Sequence, residues 1–283
     1  MGGELIHIGT RDRKDVNVYE CCICKTKQLD KFGVNDYEKG FMNGTTDMSK
    51  KEIEVRLKSC EKDDIRRANY ISPLIKDKCF LDFGCGFGGL FKQLARKNNP
   101  AKFMAGVELG SDERKYLTSL GVYCTRDIEE QNSIFDYITL FHVFEHLENP
   151  LYWLEKISFY LKENGKVIIE IPNGNDVLLS RYHCEHFADF TYWSAHLFLY
   201  TVESFKLLIS KTPYFTLEKV EQVQRYPLAN HLYWLTHGKP AGQIVWSDFS
   251  TDKLNKEYKK VLEKNYECDT LLFTLKKNEA LEL

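Results

Sequence analysis

Four of the six residues from Gly84 to Gly89 (Gly84-Cys85-Gly86-Phe87-Gly88-Gly89) are glycine. A side chain at such positions would block a positive φ or keep the backbone away from a ligand, so a cluster this dense marks a tight turn at which something binds closely. Ahead of it, Cys79-Phe80-Leu81-Asp82-Phe83 is a short apolar run of strand length, and a helix is expected to open near Gly89. Strand, glycine loop and helix in that order make a cofactor cradle.

The rhythm continues downstream. Met104 to Glu108, Val122 to Thr125, Tyr137 to Leu140 and Val167 to Ile171 read as further strands. Leu151, Leu154, Ile157 and Leu161 recur at helical spacing, with Gly165 placed as a helix C-cap. Alternation of this kind predicts a doubly wound, Rossmann-like α/β sheet. In 283 residues, 43% of them hydrophobic, there is enough apolar side chain for an ordinary core. The division expected is an N-terminal appendage over 1–75, helical from Met48 to Tyr70, and a catalytic domain over 76–283. After an aromatic-rich stretch from Tyr182 to Tyr200, Thr201 is placed as the N-cap of a helix over Val202 to Ser210. Strands are expected at Phe215 to Gln224 and Leu271 to Lys276, and the segment 224–268 between them is too long for a plain loop and reads as a lid-like insertion.

Charge narrows the partners. The 39 basic and 41 acidic side chains nearly cancel, to a formal −2, so no global field favours nucleic acid or an anionic membrane. The N-terminus lacks a basic stretch followed by an apolar one, and apolar runs are strand-sized, so a soluble cytoplasmic protein is expected. Nine scattered cysteines, an odd count, suit reduced thiols. Oligomeric state is left open.

The glycines alone are ambiguous. Gly84, Gly86 and Gly89 satisfy the dinucleotide pattern G-x-G-x-x-G, whereas Gly84, Gly86 and Gly88 satisfy the methyltransferase pattern G-x-G-x-G. Glu108, at the end of the second strand, can accept hydrogen bonds from both ribose hydroxyls of either adenosine cofactor. Asp82 is placed among the cofactor-binding residues, where it orients the loop.

Leu81 to Gly88, Phe135 to Ile138 and His142 to Leu147 spell L-D-x-G-C-G-x-G, F-D-x-I and H-x-x-E-H-L. With Asn149-Pro150, Leu161-Lys162, Gly165 and Ile171-Pro172-Asn173, this series resembles the class I S-adenosylmethionine-dependent methyltransferases over about half of the chain. The resemblance implies that S-adenosyl-L-methionine is the cofactor. It also implies that Gly84 and Gly86, with Cys85 between them, line the methionine portion, Glu108 the ribose, Asp127 and Ile128 the adenine, and Phe141 and His142 the strand-four side. His142-Val143-Phe144-Glu145-His146 also matches the zinc-peptidase motif H-x-x-E-H, which needs both histidines on one helical face. Here it follows a strand directly, so Glu145 and His146 are read as shaping the loop over the cofactor, with His146 a further catalytic candidate and no metal assigned.

Transfer from a sulfonium is an in-line displacement, and an alcohol acceptor must also lose a proton, so a base is needed. His183, Glu185, His186, Asp189 and His196 lie among aromatics after the fifth strand. His196 is the first candidate for the base and His186 the second, with Glu185 or Asp189 orienting the ring. Gln224-Arg225-Tyr226-Pro227, Asn230 to Leu235 and Gly238-Lys239-Pro240 resemble methyltransferases of bacterial sugar and surface-polysaccharide modification. Arg225 and Lys239 are candidates for the phosphates of a nucleotide-linked sugar. Cys21 and Cys24 have the spacing of half a zinc knuckle; Cys22, Cys60 and His7 are candidates to complete it, and a metal-free hairpin is the reading taken. The whole points to O-methylation of a small, sugar-containing molecule. The alternatives are N-methylation of a small amine or amino sugar, and a cofactor-binding regulatory subunit.

Overall fold

The computed structural model describes residues 2–32, 48–97 and 101–279. Three short strands come first, β1 (Gly3–His7), β2 (Val18–Cys21) and β3 (Lys27–Leu29), paired as an antiparallel meander. Helix α1 (Lys50–Ile75) is started by a capping box: the Ser49 hydroxyl accepts from the Glu52 amide while the Glu52 carboxylate accepts from the Ser49 amide. Then follow β4 (Cys79–Phe83), α2 (Gly89–Ala95), β5 (Phe103–Val107), α3 (Ser111–Ser119), β6 (Tyr123–Thr125), β7 (Phe135–Phe141), α4 (Pro150–Phe159) and β8 (Leu161–Pro172). Helices α5 (Val177–Ser180) and α6 (Glu185–Thr191) lead into the short strand β9 (Phe198–Leu199) and helix α7 (Val202–Ile209), which Thr201 caps as expected. Strand β10 (Phe215–Val223), helices α8 (Leu228–His237), α9 (Gly242–Val245) and α10 (Asp252–Lys264), and strand β11 (Thr270–Lys277) complete the order. The long insertion thus carries structure of its own.

The main sheet is ordered β10-β11-β8-β7-β4-β5-β6, with β11 antiparallel to both neighbours and the pairs from β8 to β6 parallel. This is the doubly wound α/β fold expected. The chain leaves β4 through β5 and β6 and returns on its other side at β7, so loops diverge above the C-terminal ends of β4 and β7. Ligands bind at such a switch point.

Alternation along the strands divides the core between the two sheet faces. Leu81, Ile138, Val167, Ile169 and Phe273 pack on one face with Phe205 of α7. Phe80, Ile168 and Leu272 pack on the other with Ala68, Ile71 and Ile75 of α1 and Leu90 and Leu94 of α2. Helix α1, though within the segment set apart as an appendage, therefore fills part of the sheet's core. In a second, smaller sheet β3 pairs with β9. Val16, Val18 and Leu29 are buried there against Tyr192, Leu197 and Leu199.

Gly165 departs from its expected role. Helix α4 ends at Phe159, and the residue in the left-handed region is Asn164, φ 58°. The register of β8 on β7 slips from Leu161 to Lys166 across Phe135 and Tyr137, and the excess chain bulges out. A side chain at Gly165 would meet the Lys162 carbonyl oxygen at 2.9 Å, which explains glycine in the bulge. Among the described residues no helix is long and apolar enough to cross a membrane.

Candidate active site

The glycine loop closes the end of β4 with φ of 77° at Gly84, 51° at Gly86 and 71° at Gly88. The third left-handed glycine is Gly88, so the backbone follows G-x-G-x-G. A side chain on Gly84 would strike Val143, and one on Gly88 would strike Leu117, whereas Gly86 has nothing within 4 Å of where its Cβ would stand. The loop is thus packed on two sides and open at Gly86. Gly89 is small for a different reason: it lies under the Asp64 carboxylate of α1.

Glu108 braces the open side. Its carboxylate accepts from the Gly86 amide at 2.8 Å and the Gly110 amide at 2.9 Å. Burial raises its pKa, and those amides partly counter it. Asp82 lies buried below the loop, accepts from the Thr139 hydroxyl at 2.7 Å, and is pushed up to about 7 by burial. It ties β4 to β7. The Cys85 thiol is buried 3.8 Å from that of Cys124, which leaves the backbone of this residue to serve the cradle. Asp127 caps a 3₁₀ turn by accepting from the Glu129 amide at 3.2 Å. The Ile128 side chain is fully buried in the core, so its contribution to a ligand is limited to backbone.

Val143, against Gly84, also anchors the turn after β7 to this loop. Phe141 ends the strand with the Arg67 guanidinium 5.0 Å from its ring centre. His142 follows in the left-handed region, φ 55°, a strained setting for a side chain this large. Its Nε2 lies 3.4 Å from Arg225 Nη1 and its Nδ1 3.2 Å from Glu145 Oε1. Arginine only donates, so Nε2 is the bare acceptor and the ring proton on Nδ1 faces Glu145. Burial, reinforced by Arg225 and Arg67, lowers the His142 pKa well below 6.5.

Glu145 is fully buried, its Oε2 meets no partner among the described residues, and burial pushes its pKa up to about 8. His146 Nδ1 donates to the Ala195 carbonyl at 2.6 Å, and its Nε2 is 3.9 Å from Glu145 Oε1. The His196 ring centre lies 5.1 Å from that of His146. One His196 nitrogen is held by the Thr191 backbone, whereas Nδ1 is buried without a partner among the described residues. Burial first, then the neighbouring His146, lowers the His196 pKa well below 6.5. Nitrogen and oxygen atoms of Glu145, His146 and His196 fall within 4.8 Å of one another. The arrangement holds a neutral imidazole with a vacant lone pair, next to a carboxyl that burial pushes up to about 8.

Residues 59–214 match the family described as methyltransferase domain. This chain belongs to that family. The domain is of the class whose methyl donor is S-adenosylmethionine, and the open glycine and carboxylate cradle suits such a donor. The methyltransferase is 29% identical over 110 residues to N-methyltransferase 4 of Papaver somniferum; the match covers 34% of this chain and 31% of that protein, about a third of its length. Its fold resembles that in a complex of the Haloferax volcanii Trm112 methyltransferase activator with a methyltransferase, at a TM-score of 0.54 and 14% identity, covering 80% of this chain and 96% of that one. A SAM-dependent methyltransferase from Archaeoglobus fulgidus aligns at a TM-score of 0.49 and 18% identity, over 80% of this chain and 98% of that one.

Within the methyltransferase, His146 and His196 come together, but Glu185 and His186 do not join them. Both stand exposed on α6, with His186 against Gly238. Asp189 accepts from His7 Nε2 at 3.0 Å, so it orients that ring rather than His196. The carboxyl beside the histidines is Glu145. Arg225 is committed to Asp63, which accepts from its Nε and Nη2. Tyr233 and Trp234 are buried in the insertion. Cys21 and Cys24 flank a turn, and among the described residues they belong to no group of three candidate metal ligands.

A second ionic cluster escaped the sequence reading. Glu170 of β8 is fully buried and accepts from Arg66 Nη1 at 2.7 Å and Arg67 Nη2 at 2.7 Å. Burial would raise its pKa, but Arg67 and Arg66 outweigh that and lower it. The signal was present: one carboxylate within the apolar run Val167 to Ile171, in a chain with adjacent arginines at 66 and 67.

Proposed function

We propose that this protein transfers the methyl group of S-adenosylmethionine to an oxygen of a small, sugar-containing acceptor, with His196 taking up the proton. The observation that carries this reading is the vacant Nδ1 of His196, buried beside Glu145 and His146 on the turn that packs against the glycine loop. Bound S-adenosylmethionine supplies an electrophilic methyl group. In this reading Gly84 and Gly86 receive its methionine portion, Glu108 its ribose, Asp127 and Ile128 its adenine, and Phe141 and His142 close the β7 side. On transfer to an acceptor hydroxyl, His196 Nδ1 would take up the proton that the hydroxyl loses. Neutrality of the ring is what permits this, and burial keeps it neutral. Likeness to a protein named N-methyltransferase 4 favours an amine acceptor as the second reading.

Calorimetric titration with S-adenosylmethionine, S-adenosylhomocysteine and NAD tests the donor assignment. The first two should bind and NAD should not. Glu108→Ala should weaken both by about 10²- to 10⁴-fold, since two charge-assisted hydrogen bonds are lost; unchanged affinity would remove Glu108 from the ribose site. Mass spectrometry of products from hydroxyl and amine acceptors then separates O- from N-methylation.

A further inference from the structure

Helix α1 and the insertion enclose a cleft of about 720 Å³, with Asp63 and Arg225 among its lining residues. Its size is that of a small-ligand site. The walls carry one sign of charge: Lys58 and Lys62 on α1 face Lys256 and Lys259 on α10. Glu257 and Glu263 of α10 offset it only in part. Asp63 is already bound by Arg225 and Arg66. Of the four lysines, only Lys259 has a carboxylate within ion-pair range among the described residues, Glu263 at 3.3 Å. In a chain of formal charge −2, positive charge is therefore gathered on both sides of one cavity.

The same cleft holds unsatisfied acceptors. Gln243 Oε1 and Asn255 Oδ1 are buried with no hydrogen-bond partner among the described residues. The Asn255 amide donates to the Ser250 hydroxyl at 3.0 Å, which fixes the carbonyl as the side left over. Leaving such groups buried and unpaired is costly, and a rotation of either side chain toward the cleft would let a ligand hydroxyl donate to it. Tyr226 adds a half-exposed ring. The cleft also meets the reaction site, because Arg225, one of its lining residues, touches His142 through Nη1.

We propose that this cleft binds the phosphorylated, hydroxyl-bearing end of the acceptor, a sugar phosphate or a nucleotide-linked sugar. Lysine ammonium groups take the phosphoryl oxygens as point charges, and the Gln243 and Asn255 carbonyls accept from hydroxyls. The inference rests on the reading that the acceptor is a small hydroxylated molecule. It moves the phosphate contacts away from Lys239 and from Arg225, whose guanidinium Asp63 already holds.

The test is calorimetry on the full chain, with and without saturating S-adenosylhomocysteine, using inorganic pyrophosphate, glucose 1-phosphate and uridine 5′-diphosphate as probes. Pyrophosphate should bind, and the double variant Lys62→Gln/Lys256→Gln should weaken it at least about tenfold with the affinity for S-adenosylhomocysteine unchanged. Asn255→Ala should weaken glucose 1-phosphate but not pyrophosphate. Tighter binding of glucose 1-phosphate assigns a sugar phosphate; tighter binding of uridine 5′-diphosphate assigns a nucleotide. Pyrophosphate that fails to bind, or binds the double variant equally well, overturns the proposal, as does a single-stranded oligonucleotide that displaces it at lower concentration. Failure of S-adenosylhomocysteine to bind would instead refute the donor reading, and the titrations run without it still decide the cleft.

Discussion

His196 and His146 share a burial environment but differ in what each nitrogen can do. His146 is fixed through Nδ1 to the Ala195 carbonyl, while His196 keeps a buried Nδ1 with no described partner. If His196 is the base, His196→Asn should reduce kcat by about 10²- to 10⁴-fold and leave S-adenosylhomocysteine affinity within a factor of about two. His146→Asn should cost less and act on geometry. The pH profile supplies an independent check. A base whose pKa is lowered stays unprotonated as pH falls through 6.5, so the acid limb of kcat/KM should lie below the ordinary histidine value. A limb at or above it would exclude His196. Among single residues, the places of Gly84 and Gly86 in a left-handed loop and of Glu108 just past the strand end were readable, because backbone conformation and strand position are local constraints. The partner of the histidines was not. Glu145, Glu185 and Asp189 are equivalent in composition, and only the outward face of α6 and the burial of the β7 turn separate them.

Among elements, the pairing of α1 with β8 depends on a charge in the wrong place for a simple amphipathic reading. Glu170 replaces an apolar contact with four hydrogen bonds from Arg66 and Arg67. Glu170→Ala would remove the fully buried counter-charge of two guanidinium groups, leaving Arg66 with Asp63 at 3.1 Å and Arg67 with Asp64 at 3.8 Å, at a cost of about 3 kcal/mol. Urea unfolding would show this, and a loss below about 1 kcal/mol would mean that the arginines find water instead. The alternation of strands and helices was legible because its periods are local. Gly165 misled because glycine just past an amphipathic run looks the same as a C-cap and as a bulge, and the distinction lies in how β8 pairs with β7. The junction of β3 with β9 was invisible for a related reason: β9 is two residues long and its partner is distant in sequence.

For the molecule as a whole, the insertion is tied down by an uncharged histidine. His231 of α8 is buried, with Tyr258 of α10 on Nδ1 at 2.8 Å and the Gln224 amide nitrogen on Nε2 at 3.3 Å. Burial lowers its pKa from 6.5 to about 4. A depressed folded-state pKa gives stability that is complete above pH 6.5 and is lost as pH falls toward 4, on the order of 3 kcal/mol across the interval. Carboxyls raised by burial run the other way: Asp269, pushed up to about 6, costs stability as pH rises through that range. Comparing His231→Gln with the parent protein cancels those contributions, and the variant should lose less stability between neutral pH and pH 4 in chemical denaturation. Equal slopes would show that His231 is protonated in place.

The position of β11 governs how the chain can be made. It is an interior strand, between β8 and β10, yet it follows the entire insertion in sequence. While a ribosome is still adding α8 to α10, β8 has one neighbour and β10 has none, so two unsatisfied strand edges wait for a segment not yet synthesised. The sheet cannot close during translation of the insertion. A nascent chain arrested before Thr270 would present those edges to other chains, and arrested products should collect in aggregates rather than as a shortened, working enzyme.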